Sequence, residues 1–192
     1  MKFSKSIPWL LSLLIFSCGD KRNTDTIKSY IATHNAHDVE AALGYYQTDA
    51  VFELKGVWTK KGLDEIRGLE EFDAVMNSHL ELKDIREAGD TIYCKIVENN
   101  DWFGTMNIAN LVHDPVIFVM RNNKFKHIIG YPDQQTGLEI EAAMGLIFQW
   151  SAKATDSVIY ELLPNGAFVY STEAGHKWKA LFERMQKSDS IP

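Results

Sequence analysis

The 192-residue chain has little with which to cross-link or stiffen itself. It carries only 2 cysteines, which excludes the disulfide scaffold that small exported domains use in place of a core. Its 5 prolines and 12 glycines are too few and too unpatterned for a collagen or a proline-rich linker. Positive charge is also short: 20 Lys and Arg stand against 26 Asp and Glu, a net charge of −6. An acidic balance argues against nucleic acid as a partner, because phosphate binding needs a basic face. No apolar run approaches the about 20 residues that a bilayer-spanning helix needs. A Gly-x-Ser-x-Gly elbow, a phosphate loop, a dinucleotide fingerprint and histidine pairs at metal-ligand spacing are all missing, so neither a cofactor nor a metal is expected. Apolar material is plentiful. Hydrophobic residues make up 45% of the chain and aromatics 11%, the composition of a folded globular domain.

The first residues stand apart from the rest. Lys2 and Lys5 precede an apolar run, Trp9 to Phe16, that stops at Ser17-Cys18. Its length and flanking charge are those of a secretory signal. Ile15-Phe16-Ser17-Cys18 resembles the lipobox of bacterial lipoproteins, with Phe16 bulkier than the commonest residue at that position. That resemblance implies a signal peptide over residues 1–17 and cleavage before Cys18. It also implies a Cys18 thiol carrying diacylglycerol, with acyl chains of the palmitate type. Residues 18–24 are then the lipidated cysteine and a short tether. The protein is expected in the bacterial cell envelope, held in one of its membranes by Cys18. Each buried methylene contributes about 0.8 kcal/mol, so several acyl chains anchor stably. Loss of Lys2 and Lys5 leaves 18 basic residues and a net charge of −8. With Cys18 acylated, Cys94 has no disulfide partner, and its alternating apolar surroundings read as a buried small hydrophobe.

Ile27, Tyr30, Ile31 and His34 recur at helical spacing and predict a first helix. Asp38 is a credible N-cap for a second, carrying Val39, Ala42, Leu43 and Tyr46. A strand is expected over residues 50–54. A third helix runs from Gly62 with Leu63, Ile66, Leu69, Phe72, Met76 and His79 near one face, and Gly68 weakens it by about 1 kcal/mol relative to Ala. From Leu80 the period changes to two. Strands over 80–86, 91–98 and 115–120 follow, then Asn122-Asn123 as a hairpin turn and a strand from Lys124 in which Phe125, His127 and Ile129 alternate.

This order resembles the nuclear transport factor 2-like (NTF2-like) superfamily, in its SnoaL-like branch, over residues 25–133. The residues that carry the likeness are Tyr45-Tyr46-x-x-Asp49-Ala50-Val51-Phe52 after two helices, the Gly62–Leu80 helix, and the meander ending Asn123-Lys124-Phe125-Lys126-His127-Ile128-Ile129-Gly130-Tyr131. It implies an α+β fold, a bent antiparallel sheet wrapped into a cone around the N-terminal helices. The open end of such a cone holds an apolar pocket, and homodimers through the sheet are frequent. Residues 134–192 form a C-terminal helical extension. Ile140, Met144, Ile147 and Phe148 share one helical face, and Ala174, Trp178, Leu181, Phe182 and Met185 another, with Thr172 as its N-cap. These helices are expected to pack on the domain.

Two histidines and several acids are candidates for chemistry. His113 enters a strand and His127 lies on one, where a neutral imidazole can act as a general base. Asp49, Glu53, Asp101 and Asp133 are the carboxylates expected nearby, Asp133 above all. Family cyclases and isomerases use such a pair to move a proton beside a carbonyl. Asp49 is read as structural, at a helix-to-strand junction. Tyr46, Phe52, Trp58, Trp102 and Tyr131 are the pocket candidates, since aromatic rings combine contact area with a polar handle. The absence of any sharp catalytic motif favours a pocket for a small apolar or amphipathic ligand, or a scaffold, without catalysis; the alternatives are a SnoaL-like cyclase, isomerase or dehydratase, and a module whose last helix docks on a partner. The discriminator is whether a histidine and a carboxylate meet within hydrogen-bond reach inside one cavity.

Overall fold

The computed structural model describes residues 23–188. The apolar run and Cys18 lie outside these described residues. Two helices open the fold, α1 (Asn23–Asn35) and the short α2 (Val39–Leu43). Two strands follow, β1 (Tyr46–Leu54) and β2 (Trp58–Lys61), and then α3 (Gly62–Val75). A meander of β3 (His79–Ala88), β4 (Thr91–Asn99), β5 (Leu111–Arg121) and β6 (Lys124–Pro132) has the one-turn α4 (Asp101–Thr105) between β4 and β5. The chain ends in α5 (Gln134–Ala154), α6 (Val158–Leu162) and α7 (Thr172–Lys187).

The six strands form one open sheet in the order β2-β1-β6-β5-β4-β3. The fold is α+β, as the pattern predicts, but the sheet is mixed. β3 to β6 pair antiparallel, whereas β1 lies parallel to β6. Hairpin turns between neighbours in sequence enforce antiparallel pairing. The pairing of β1 with β6 is set by packing across some 70 residues of chain, which no local pattern encodes.

Local signals hold where they rest on capping and turn chemistry. Asp38 caps α2 by accepting a hydrogen bond from the Ala41 N–H. Asn122 and Asn123 both take left-handed backbone angles, φ 52° and 57°, as a two-residue hairpin turn requires. Other boundaries moved. Tyr46 belongs to β1, so α2 is shorter and the strand longer than expected. The N-cap of α7 is Ser171, which accepts from the Ala174 N–H, in place of Thr172. Asp49 lies within β1 and holds Lys126 through an ion pair and hydrogen bond.

Two cores result. One lies between α1, α2 and the inner face of the sheet, around Ile27, Tyr30, Ile92, Phe118, Phe125 and Ile128. The other joins α3 and α4 to the C-terminal helices, around Met76, Trp102, Ile147, Trp178 and Phe182. All five residues of the α7 stripe are buried there. Gly68 and Gly175 make this junction possible. A Cβ at Gly68 would meet the Tyr170 carbonyl oxygen at 2.7 Å, and one at Gly175 would meet Val75 at 2.7 Å. Gly68 therefore leaves α3 unbroken and admits a neighbouring backbone. Burial, with the charge of Asp114, pushes the Cys94 thiol up to about 12, so it behaves as an inert hydrophobe.

Candidate functional site

A cavity of about 330 Å³ opens where the two cores meet. Its floor and walls come from β1, β4, β5 and β6 on the sheet side and from α1 and α3 on the helix side. The extension supplies part of its wall: Ile140 of α5 and Phe168 and Tyr170 of the segment before α7 all line it. The lining is predominantly apolar and aromatic.

Two histidines and two carboxyl groups interrupt that lining: His34, His113, Asp73 and Glu98. Their positions follow from periodicity. Ile92, Cys94 and Ile96 face inward on β4, so Glu98 is the next inward position. Asp73 continues the Ile66, Leu69, Glu70 face of α3, and His34 continues the Ile27, Tyr30, Ile31 face of α1.

A chain of hydrogen bonds links most of them. Tyr30 donates to Glu70 Oε1 at 2.9 Å, and the Tyr46 hydroxyl lies 2.9 Å from both. His34 Nδ1 is 3.0 Å from Glu70 Oε2, and its Nε2 is 3.4 Å from Ser78 Oγ. Ser78 donates to Glu98 Oε1 at 3.1 Å, Asn100 donates to the same oxygen at 3.0 Å, and His113 Nε2 is 3.3 Å from Glu98 Oε2. With both ring nitrogens facing oxygens, His34 is held as an imidazolium. Burial alone would lower its pKa, but the hydrogen bond and charge of Glu70 outweigh burial and raise it to about 9. Burial would likewise push Glu98 up, yet the hydrogen bond and charge of His113, helped by His34 and Ser78, hold its carboxyl below the usual range.

Asp73 has no such support. Its carboxyl lines the cavity and has no side-chain hydrogen-bond partner among the described residues. Burial first, and then repulsion from Glu98, push it well above the usual carboxylate range, which favours its protonated form. The cavity thus holds one carboxyl group pushed toward its protonated form and one carboxylate bonded to an imidazole and held toward its ionised form, two environments that drive two carboxyl groups apart.

Of the residues singled out in the sequence, His113, Phe52, Trp58 and Trp102 line this cavity. His127 does not. One extra residue on β6 between Phe125 and His127 flips the alternation, so Phe125 and Ile128 point into the core and His127 pairs with Val51 and Val119 on the other face. Its Nε2 is 3.7 Å from Glu53, beyond hydrogen-bond range. Asp133 is the N-cap of α5, accepting from the Thr136 N–H at 2.9 Å and its hydroxyl at 3.0 Å, which hold its carboxyl below the usual range. Tyr46 is enclosed in the Glu70 network and Tyr131 is exposed, so neither lines the cavity. Asp73, Glu98 and His34 were not among the sequence candidates. The available signal was an acid or imidazole on the apolar face of its element. Among the described residues, no group of three or more histidine, cysteine or acidic side chains is placed to hold a metal ion.

No family model and no curated protein matches the chain. Solved structures do. The chain is similar to an NTF2-like protein of unknown function from Cytophaga hutchinsonii at 12% identity, over 61% of this chain and 95% of that one, with a TM-score of 0.50. It is similar to SalBIII, an epoxide hydrolase/cyclase-like enzyme of pyran ring formation in salinomycin, at 13% identity, over 59% and 92% of the two chains, with a TM-score of 0.53. At these identities the likeness shows the fold. It is NTF2-like.

Proposed function

We propose that the cavity binds one small, largely apolar molecule, and that Asp73 with the Glu98–His113 pair moves a proton at the polar end of that molecule, as SnoaL-like cyclases, isomerases and dehydratases do. The observation that carries this reading is the presence of the Asp73 carboxyl and the hydrogen-bonded Glu98–His113 pair in the lining of one apolar cavity, with Asp73 pushed toward its protonated form and Glu98 toward its ionised one. General acid–base catalysis of this kind contributes about 10²- to 10⁴-fold. The test is hydrogen–deuterium exchange beside the carbonyl of a panel of cyclic ketones, with and without an amine, followed by NMR. Exchange above the buffer rate by roughly 10²-fold or more, lost in Asp73→Asn, is expected. Saturable binding with no acceleration of exchange would leave a binding protein.

One observation favours that simpler reading. His113 Nδ1 is buried and has no hydrogen-bond partner among the described residues. A general base needs its lone pair within reach of the substrate.

The second part of the proposal is the anchor. The lipobox-like Ile15-Phe16-Ser17-Cys18 supports attachment to an envelope membrane through acylated Cys18, and no helix among the described residues is long and apolar enough to cross a membrane. Residues 19–192, expressed alone, are therefore expected in the soluble fraction. Their recovery in the detergent-requiring fraction, without aggregation, would show another attachment.

A further inference from the structure

The cavity is apolar, yet its charges are one-sided. Among the described residues, no lysine or arginine lines it. Its two histidines are both committed to carboxylates, His34 to Glu70 at 3.0 Å and His113 to Glu98 at 3.3 Å. Asp73 has no side-chain hydrogen-bond donor among the described residues, and the His34 imidazolium that favours its charge is itself bonded to Glu70. Aromatic rings line the same cavity as the Asp73 carboxyl. Phe72 adjoins it in sequence and packs edge-to-face on Tyr170 at 5.2 Å, and Tyr170 meets Trp58 at 5.9 Å. The Tyr170 hydroxyl is close enough to feel the Asp73 charge. That ring already receives one cation, the Lys60 ammonium 4.8 Å from its centroid.

We infer that the cavity takes an organic ammonium ion, its tertiary or quaternary nitrogen against Asp73 and the faces of Trp58, Phe72 and Tyr170. This deepens the reading of the cavity as a ligand site and rests on it. Aromatic faces attract a cation that has shed its water, and a carboxylate supplies the opposite charge. A ligand without a polar group at that end would leave the Asp73 carboxyl unpartnered. When the cation enters, the Asp73 carboxyl releases its proton to solvent and remains as the carboxylate of the ion pair. One positive charge enters as one leaves.

The groups that face Asp73 set the direction of the pH dependence. His34 on α1 favours its ionised form, whereas Glu98 on β4 and Glu70 on α3 oppose it. Tyr170 is held neutral by burial and carries no charge. Below the Asp73 pKa the cation must displace a proton, so its affinity rises with pH until Asp73 is already ionised.

The probes are choline and its neutral carbon isostere, 3,3-dimethyl-1-butanol, titrated calorimetrically into the full-length chain at several pH values. Choline is expected to bind at least about tenfold tighter than the alcohol at pH 8. Its affinity should climb with pH and its binding should release protons, while that of the alcohol stays flat. Asp73→Asn should bring choline down to the affinity of the alcohol and leave the alcohol unchanged. Equal or tighter binding of the alcohol overturns the cation and leaves the cavity as a ligand site. Binding of neither probe overturns both. Choline binding that survives Asp73→Asn undiminished overturns the role of Asp73, and with it the inference.

Discussion

Trp178→Ala is expected to lower the unfolding free energy by about 3–5 kcal/mol, the range for removing a fully buried indole. Trp178 is 0% exposed. Its ring stacks on Phe168 at 5.5 Å, lies against Phe182 at 5.5 Å and receives Trp102 edge-on at 5.8 Å. Those neighbours come from α4, α7 and the segment between α6 and α7, so the cavity left by truncation cannot close by the shift of one element. The loss is a large share of the 5–15 kcal/mol or so that stabilises a typical domain. Because Trp102 and Phe168 also line the ligand cavity, the damage reaches the site. Chemical denaturation of residues 19–192, followed by far-UV circular dichroism, measures it. An unchanged midpoint and slope would mean that α7 is detached in solution, and would promote a partner-docking role for that helix.

Glu70→Ala is expected to cost a similar amount, about 3–5 kcal/mol, because it strands a buried cation. His34 and Glu70 have side chains only 4% and 3% exposed, and the Tyr30 and Tyr46 hydroxyls depend on the same carboxylate. The pair also sets a pH dependence. His34 is raised from its ordinary 6.5 to about 9, so the folded state holds a proton that the unfolded chain releases. That contribution is complete below about pH 6.5, fades between there and about pH 9, and is gone above. Its size is about 3 kcal/mol. Thermal unfolding of the wild-type chain should fall in midpoint across that window, and Glu70→Gln should flatten the fall. A wild-type midpoint that is level from pH 6 to pH 9.5 would show that His34 is neutral in the fold.

These two predictions draw on different kinds of information. The α7 stripe was legible because helical periodicity reports a buried face, whatever covers it. The buried ion pair was half legible. His34 falls on the apolar stripe of α1, but its partner is 36 residues away on α3. The same contrast runs through the site. His113, Phe52, Trp58 and Trp102 were readable as residue types suited to a pocket. Asp73 and Glu98 were not singled out, although each continues an inward face. His127 was misplaced because one extra residue in β6 inverts the faces beyond it. A bulge of that kind depends on the neighbouring strands and leaves no mark on the alternation.

By itself, the sequence determined the order and type of nearly every long element, the caps and hairpin turns, the α+β class and the apolar faces. Those follow from backbone sterics, side-chain hydrogen bonding and periodicity over a few residues, all of them local. Only the tertiary structure decided that β1 runs parallel to β6, that Gly68 and Gly175 admit their neighbours, and that the C-terminal extension walls the cavity. It alone decided the protonation of the site. A carboxyl group is acid or base according to what surrounds it, and the groups around Asp73 and Glu98 come from α1, α3, β4 and β5. Desolvation and charge act through space, over distances that the chain spans only once it has folded.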